Sequence, residues 1–247
     1  MIKLDLPSKP VDLTDELAQE LTAKYRQDGT SVWKTKFLED AVSKIAYGKC
    51  AYSECRLGEE GKYTELDHFY PKSLFPDKVV EWGNLLPANK KCNVTKGNHN
   101  PQAEPIINPC VDDPKDHLYI SGFRFYPKTE IGKRTIEVVA LNDRPHFVEK
   151  RSRIGTYVSE TLNDIYDDVI EDAALILSTA KKNRLIKKLK SLFQQATKEN
   201  EYAATLSTVI LTDVYYAHIE QFLADNELWD DEFIALKREL IFCSLPK

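Results

Sequence analysis

This chain of 247 residues is poor in glycine, with nine, and has one methionine and five cysteines. It has no glycine-rich loop of the kind that cradles nucleotide phosphates, so the chain is not expected to hydrolyse ATP itself. The odd cysteine count, with no long apolar run and no signal-like amino terminus, points to reduced thiols in a cytoplasmic compartment and no membrane association. There is no internal repeat and no low-complexity tract. What remains is enough chain to bury a sizeable core as one large or two small domains. With 39 acidic against 34 basic residues, net -5, a whole basic surface for a polyanion is excluded, and any such contact must be local.

Apolar periodicity sets the outline. Leu13, Leu17, Leu21 and Tyr25 recur every four residues, Gln27 to Thr30 interrupts them, and Trp33, Phe37, Ala41 and Ile45 resume, which predicts a helical hairpin over 1–48. A proline-rich passage, Asn100 to Pro109, cannot continue a helix. Leu118 to Phe125 and Thr135 to Leu141 are β-rich with Ile131-Gly132-Lys133 between them, so a β-hairpin extension is expected over 111–143. From about Arg144 to Lys247 three apolar stripes predict a helical bundle: Leu162, Ile165, Tyr166, Val169, Ile170 and Ala173; Leu185, Ile186, Leu189, Leu192 and Phe193; Leu206, Ile210, Val214 and Phe222. His218, on the third stripe, reads as a packed core or interface histidine. The run from Lys181 to Lys190 reads as a solvated helix face.

The chemistry is concentrated between Leu66 and Gly97. The words LDHFYPKS (Leu66 to Ser73), EWGNLLP (Glu81 to Pro87) and KCNVTKG (Lys91 to Gly97) set Asp67-His68, Asn84 and Asn93 at spacings that would let them share one divalent metal and one phosphodiester. Taken singly, an Asp-His pair is commonly a surface pair, Gly83-Asn84 a turn signal and Asn93 a polar helix residue; the reading rests on their order and spacing. A phosphodiester is anionic, so a hard cation with carboxylate, amide and water ligands, Mg2+ first and Mn2+ next, suits its cleavage. A histidine suits a general base near neutral pH. Lys96, one turn after Asn93, is expected to reach a phosphate. Lys72, Lys78, Lys90, Lys91 and Lys96 ring the segment.

These words resemble the HNH endonuclease family, whose ββα-metal module packs two short strands on one helix. The resemblance implies that Asp67 is a metal ligand, His68 the general base, Asn84 the residue that holds the catalytic loop and orients His68, and Asn93 the second protein ligand. It places the module at 49–110, in an α+β, mostly helical fold that embeds it between the helical hairpin and the helical bundle. Many HNH relatives also carry two Cys-x-x-Cys pairs on a structural zinc. Here KCAYSEC and ANKKC put Ser53 and Asn89 at two of those positions, leaving Cys50, Cys55 and Cys92 as candidate zinc ligands, with Cys110 or His99 open as a fourth. Loss of the zinc is expected, with Trp82, Phe69, Tyr52, Leu85 and Leu86 supplying apolar packing in its place.

Beyond the module, NPCVDDPKDHLYISG (Asn108 to Gly122) resembles a segment of the PtuB-like nucleases of Septu anti-phage systems, including those attached to retrons. That resemblance implies nucleic acid as substrate, DNA foremost, a PtuA-like ATPase as partner, and a retron complex in some systems. It leaves open a ribonuclease acting on RNA, or a catalytically dead binding subunit. The helices beyond Arg144 carry no cluster of metal-ligating side chains, and a docking surface for the larger partner is expected there, with Trp229, Phe233 and Tyr216 as contact residues.

Overall fold

Thr14 starts the first helix: its backbone is extended and its hydroxyl accepts from the Leu17 N–H at 3.1 Å, with Asp15 and Glu16 in the first turn. Helix α1 (Asp15–Asp28) stops at Gly29, whose φ of 71° a side chain would resist and whose N–H returns to the Tyr25 carbonyl. Helix α2 (Lys36–Ile45) buries Leu38, Val42 and Ile45. The expected stripe is therefore one step out of phase, with Phe37 and Ala41 only half-buried at its margin.

The strands β1 (Glu65–His68) and β2 (Leu85–Ala88) pair antiparallel, with Asp67 opposite Leu86 and His68 opposite Leu85. Helix α3 (Lys90–Lys96) follows at once, capped by Asn89, whose side chain accepts from the Lys91 N–H at 2.9 Å. A second two-stranded sheet joins β3 (Leu118–Ser121) to β4 (Arg124–Pro127). Its turn takes the left-handed residues Gly122 and Phe123.

The sequence expectation fails over Thr135 to Leu141, because Glu130–Val138 is a helix, α4. Thr129 caps it, its hydroxyl accepting from the Gly132 N–H. Gly132 makes no hairpin turn; it lies in the first turn of α4, where a Cβ would collide with the His117 carbonyl. The hairpin is accordingly shorter than expected and precedes this stretch.

The computed structural model describes residues 1–58, 64–173 and 179–247, with the side chains of 170–179 outside the description, Ile170 and Ala173 of the first stripe among them. The chain forms two units, Met1–Tyr119 with Phe125–Phe147, and Ile120–Arg124 with Val148–Lys247. The fold is α+β and mostly helical. Among the described residues no helix is long and apolar enough to cross a membrane.

The second unit contains α5 (Glu149–Ala173), α6 (Thr179–Gln195), α7 (Ala203–Thr212), α8 (Tyr216–Asp225) and α9 (Asp231–Cys243). Their core is built on Leu162, Ile165, Leu189, Phe193, Ile210, Ile219 and Leu240. The third stripe is two helices, because α7 ends at Asp213 in extended backbone. Past that break Val214 and His218 are exposed, and Tyr216, Ile219 and Leu223 take the inward face, so of the two readings of His218, core or interface, the core one fails. Tyr216 and Phe233 are buried as well, at 6.1 and 5.9 Å from the Phe193 ring, and Trp229 stacks on Phe233 at 4.7 Å. Two of the three aromatics expected on a docking surface are therefore core. The basic run of α6 is a solvated face: Lys188 pairs with Asp164, and Lys190 with Asp230 and Glu232.

Candidate active site

Alternation along β1 sends Glu65 and Asp67 to the face covered by α3 and His68 to the other. Asp67 is 2% exposed, and both its oxygens are engaged. Oδ2 accepts from the Tyr52 hydroxyl at 2.6 Å, and Oδ1 from the Lys96 ammonium at 3.0 Å. Burial, then the Asp67 carboxylate, pushes the Tyr52 hydroxyl well above its ordinary value, so it stays protonated as a donor. Lys96 also donates to the His68 carbonyl at 2.6 Å. Lys96 is thus buried in an ion pair, not turned outward to a phosphate as the sequence suggested.

The His68 ring stands edge-on to Trp33, with centroids 4.9 Å apart, and its Nε2 lies 2.9 Å from the Val79 carbonyl. A carbonyl only accepts, so Nε2 carries the proton and, in the neutral ring, Nδ1 is the free lone pair. Burial, followed by the charges of Lys72 and Lys96, holds the imidazole down at about 4, against the hydrogen bond to Val79 and the pull of Asp67. The ring is therefore neutral at physiological pH.

Asn84 braces this arrangement. Its Oδ1 accepts from the Tyr70 N–H at 2.7 Å, and its Nδ2 donates to the carbonyls of Tyr70 at 3.1 Å and Lys78 at 2.8 Å. The exit of β1 is thereby tied to the loop whose Val79 carbonyl holds His68. Asn84→Ala leaves the Tyr70 N–H and carbonyl without partners and the Lys78 carbonyl with only its 3.3 Å bond from the Glu81 N–H, and unsatisfied groups cost about 1–3 kcal/mol each, with partial relaxation. The unfolding free energy should fall by about 2–3 kcal/mol in a urea titration; a change inside ±0.5 kcal/mol, the size of an ordinary surface substitution, would refute the bracing role.

Asn93 donates Nδ2 to Glu65 at 2.6 Å, and its Oδ1 has no hydrogen-bond partner among the described residues. The Asp67 carboxylate and the Asn93 amide oxygen are hard donors of the type that Mg2+ or Mn2+ takes, ions that keep several waters, although each Asp67 oxygen already accepts a hydrogen bond, from Tyr52 or Lys96. The cysteines differ. Cys50, Cys55 and Cys92 are buried and hydrogen-bonded together, with Ser53 donating to Cys55 Sγ at 3.3 Å and to Cys50 Sγ through its N–H at 3.4 Å. Burial raises the Cys50 thiol, but the bonds from Cys55, Cys92 and Ser53 outweigh it and hold it well below its ordinary value. Burial, then donation to Cys50, drives Cys92 upward. Of the two residues open as a fourth ligand, His99 bonds the Glu104 carbonyl and Cys110 is half-buried, while Asn89, standing where a cysteine would, serves as the α3 cap. Among the described residues no group of three or more His, Cys, Asp or Glu is arranged to hold a metal ion. The apolar packing expected here is present: Tyr52, Phe69, Trp82, Leu85 and Leu86 are buried.

Two short antiparallel strands leading into one helix, with Asp-His closing the first strand and Asn-x-x-Lys on the helix, define an HNH endonuclease module. The HNH endonuclease family model matches residues 46–102, the stretch that contains every one of these side chains except Trp33. Over almost its full length the chain is similar to the Septu protein PtuB of Bacillus thuringiensis, at 36% identity over 233 residues, covering 94% of this chain and 90% of that protein. Septu protein PtuB of Bacillus mycoides (strain KBAB4) is 25% identical over 200 residues, covering 63% of this chain and 67% of that protein. The chain belongs to the PtuB family.

Proposed function

We propose that this protein is a divalent-metal-dependent endonuclease of an anti-phage Septu system, cleaving phosphodiester bonds, DNA foremost, beside a PtuA-like ATPase partner. The observation that carries this reading is the neutral His68 with Nε2 committed to Val79 and Nδ1 free. His68 Nδ1 takes the proton of a water whose oxygen attacks phosphorus, and the O–P bond to the departing sugar oxygen breaks. Asn84 keeps the ring in place through the Tyr70 and Lys78 backbone, and Trp33 limits its rotation. Asp67 and Asn93 would hold Mg2+ or Mn2+, which when bound neutralises charge developing on the phosphoryl and leaving oxygens. Tyr52 and Lys96 fix the Asp67 carboxylate.

The test is purified protein, with and without the ATPase partner, incubated with plasmid DNA and total RNA in magnesium, manganese or chelator. Cleavage with either metal and none in chelator is expected. Asp67→Ala and Asn93→Ala should each weaken it, and excess metal should partly rescue only the Asn93 variant, because that change removes a neutral ligand and leaves the carboxylate. Full activity in chelator would overturn the metal dependence, and cleavage of RNA alone would reassign the substrate.

A further inference from the structure

The lysines that ring the module are not equivalent once their partners are known. Lys96 is buried on Asp67, Lys78 pairs with Glu81 at 2.7 Å, and Lys91 pairs with Asp143 at 3.1 Å. Lys90 and Lys72 have no ion pair among the described residues, and only Lys72 sits in the field of His68 and Asp67. Its ammonium lies 4.7 Å from the centre of the Trp33 ring, the same ring that meets His68 edge-on at 4.9 Å. Lys34, next to Trp33 in the chain, is exposed and close enough to be felt by Lys72.

Resting on the nuclease reading above, we infer that Lys72, seated on Trp33, is the cation that positions the substrate phosphodiester at His68, with Lys34 beside it contacting an adjoining phosphate. Three features support it. An aromatic face orients an ammonium without neutralising it, whereas a carboxylate partner would remove the charge that a phosphate needs. Lys72 is half-buried, so part of its solvation is already lost, and burial, with Lys96 and Lys34, depresses its basicity against the opposing pull of Asp67; an anion drawn to this point relieves the remaining repulsion. A chain with net charge -5 must also concentrate its attraction for a polyanion, and among the described residues neither Lys72 nor Lys34 has an ion-pair partner.

The test uses the full chain and a duplex DNA probe, with binding read by fluorescence anisotropy in chelator so that the probe stays intact, and cleavage read separately in magnesium. Lys72→Met keeps the aliphatic stem against Trp33, and unchanged melting confirms its fold. It should raise KM on the order of ten-fold, about one charge-assisted hydrogen bond. It should also flatten the slope of log K against log salt by about 0.9, one phosphate contact. Lys72→Arg should retain both, and Lys34→Met should flatten the slope with a smaller effect on KM. A wild-type slope and KM in Lys72→Met, with wild-type protein cleaving normally, would overturn this assignment alone. Wild-type protein that neither binds nor cleaves any nucleic acid would overturn the nuclease reading and this assignment with it.

Discussion

His68→Ala is expected to lower the cleavage rate by about 10²–10⁴-fold while the folded chain persists, because in the proposed reaction it removes the base that takes the proton from the attacking water. The pH dependence separates this role from mere packing against Trp33. The imidazole is held down to about 4 from 6.5, so it stays an unprotonated base throughout that interval. The acid limb of kcat/KM should therefore fall near 4, and rates should stay level between there and 6.5. A limb centred near 6.5 would show that the ring is not held neutral. Stability carries the same sign: the folded state resists protonation that the unfolded chain accepts, so stability present above 6.5 is lost as pH falls through about 4. Thermal melts of wild type and His68→Ala across that interval should differ in slope, the variant being flatter.

The site was more legible in the sequence than the fold around it, for a physical reason. Asp67, His68, Asn84 and Asn93 fall within one strand–loop–strand–helix stretch, and their order survives folding because β1, β2 and α3 are contiguous in the chain. Trp33 and Tyr52 had no such signal. Trp33 reaches His68 from the loop before α2, and Tyr52 reaches Asp67 from the turn between Cys50 and Cys55. Tyr52 was expected only as apolar filling, and its hydroxyl role depends on a tertiary approach that no spacing encodes. Periodicity failed where a break left the pattern intact: Ile210, Val214 and His218 keep a four-residue spacing across Asp213, but the chain turns there and the inward face shifts to Tyr216 and Ile219. Over Thr135 to Leu141 the residues Thr135, Ile136, Val138 and Val139 favoured a strand on propensity and Gly132 a turn before it, while the Thr129 cap and the close approach of His117 to Gly132 accompany a helix. The cysteine words named Cys50, Cys55 and Cys92, which fold into one hydrogen-bonded cluster, while the use of Asn89 as the α3 cap had no signal in the spacing of the cysteines.

Lys96→Met is expected to destabilise the chain by about 3–5 kcal/mol, since it leaves the Asp67 carboxylate buried at 2% exposure with its cationic partner gone. Domains are stable by only about 5–15 kcal/mol, so the shift in urea midpoint is large and easily read. The magnitude also decides what Lys96 does. A lysine reaching from α3 toward a phosphate would be solvated, and its replacement would change stability by no more than about 0.5 kcal/mol while weakening substrate binding. The structure instead gives it two buried acceptors, Asp67 Oδ1 and the His68 carbonyl, so its removal should act on the fold and on the set of the carboxylate. Combining Lys96→Met with Asp67→Asn removes both charges, leaves a neutral amide for the Tyr52 hydroxyl, and should recover much of the lost stability, a coupling that a double-mutant cycle measures directly. If Asp67 is the metal ligand proposed above, the double variant is expected to stay inactive because the ligand charge is gone, so stability and activity part company. A Lys96→Met protein as stable as wild type, with only KM raised, would return Lys96 to the phosphate and leave Asp67 held by Tyr52 alone.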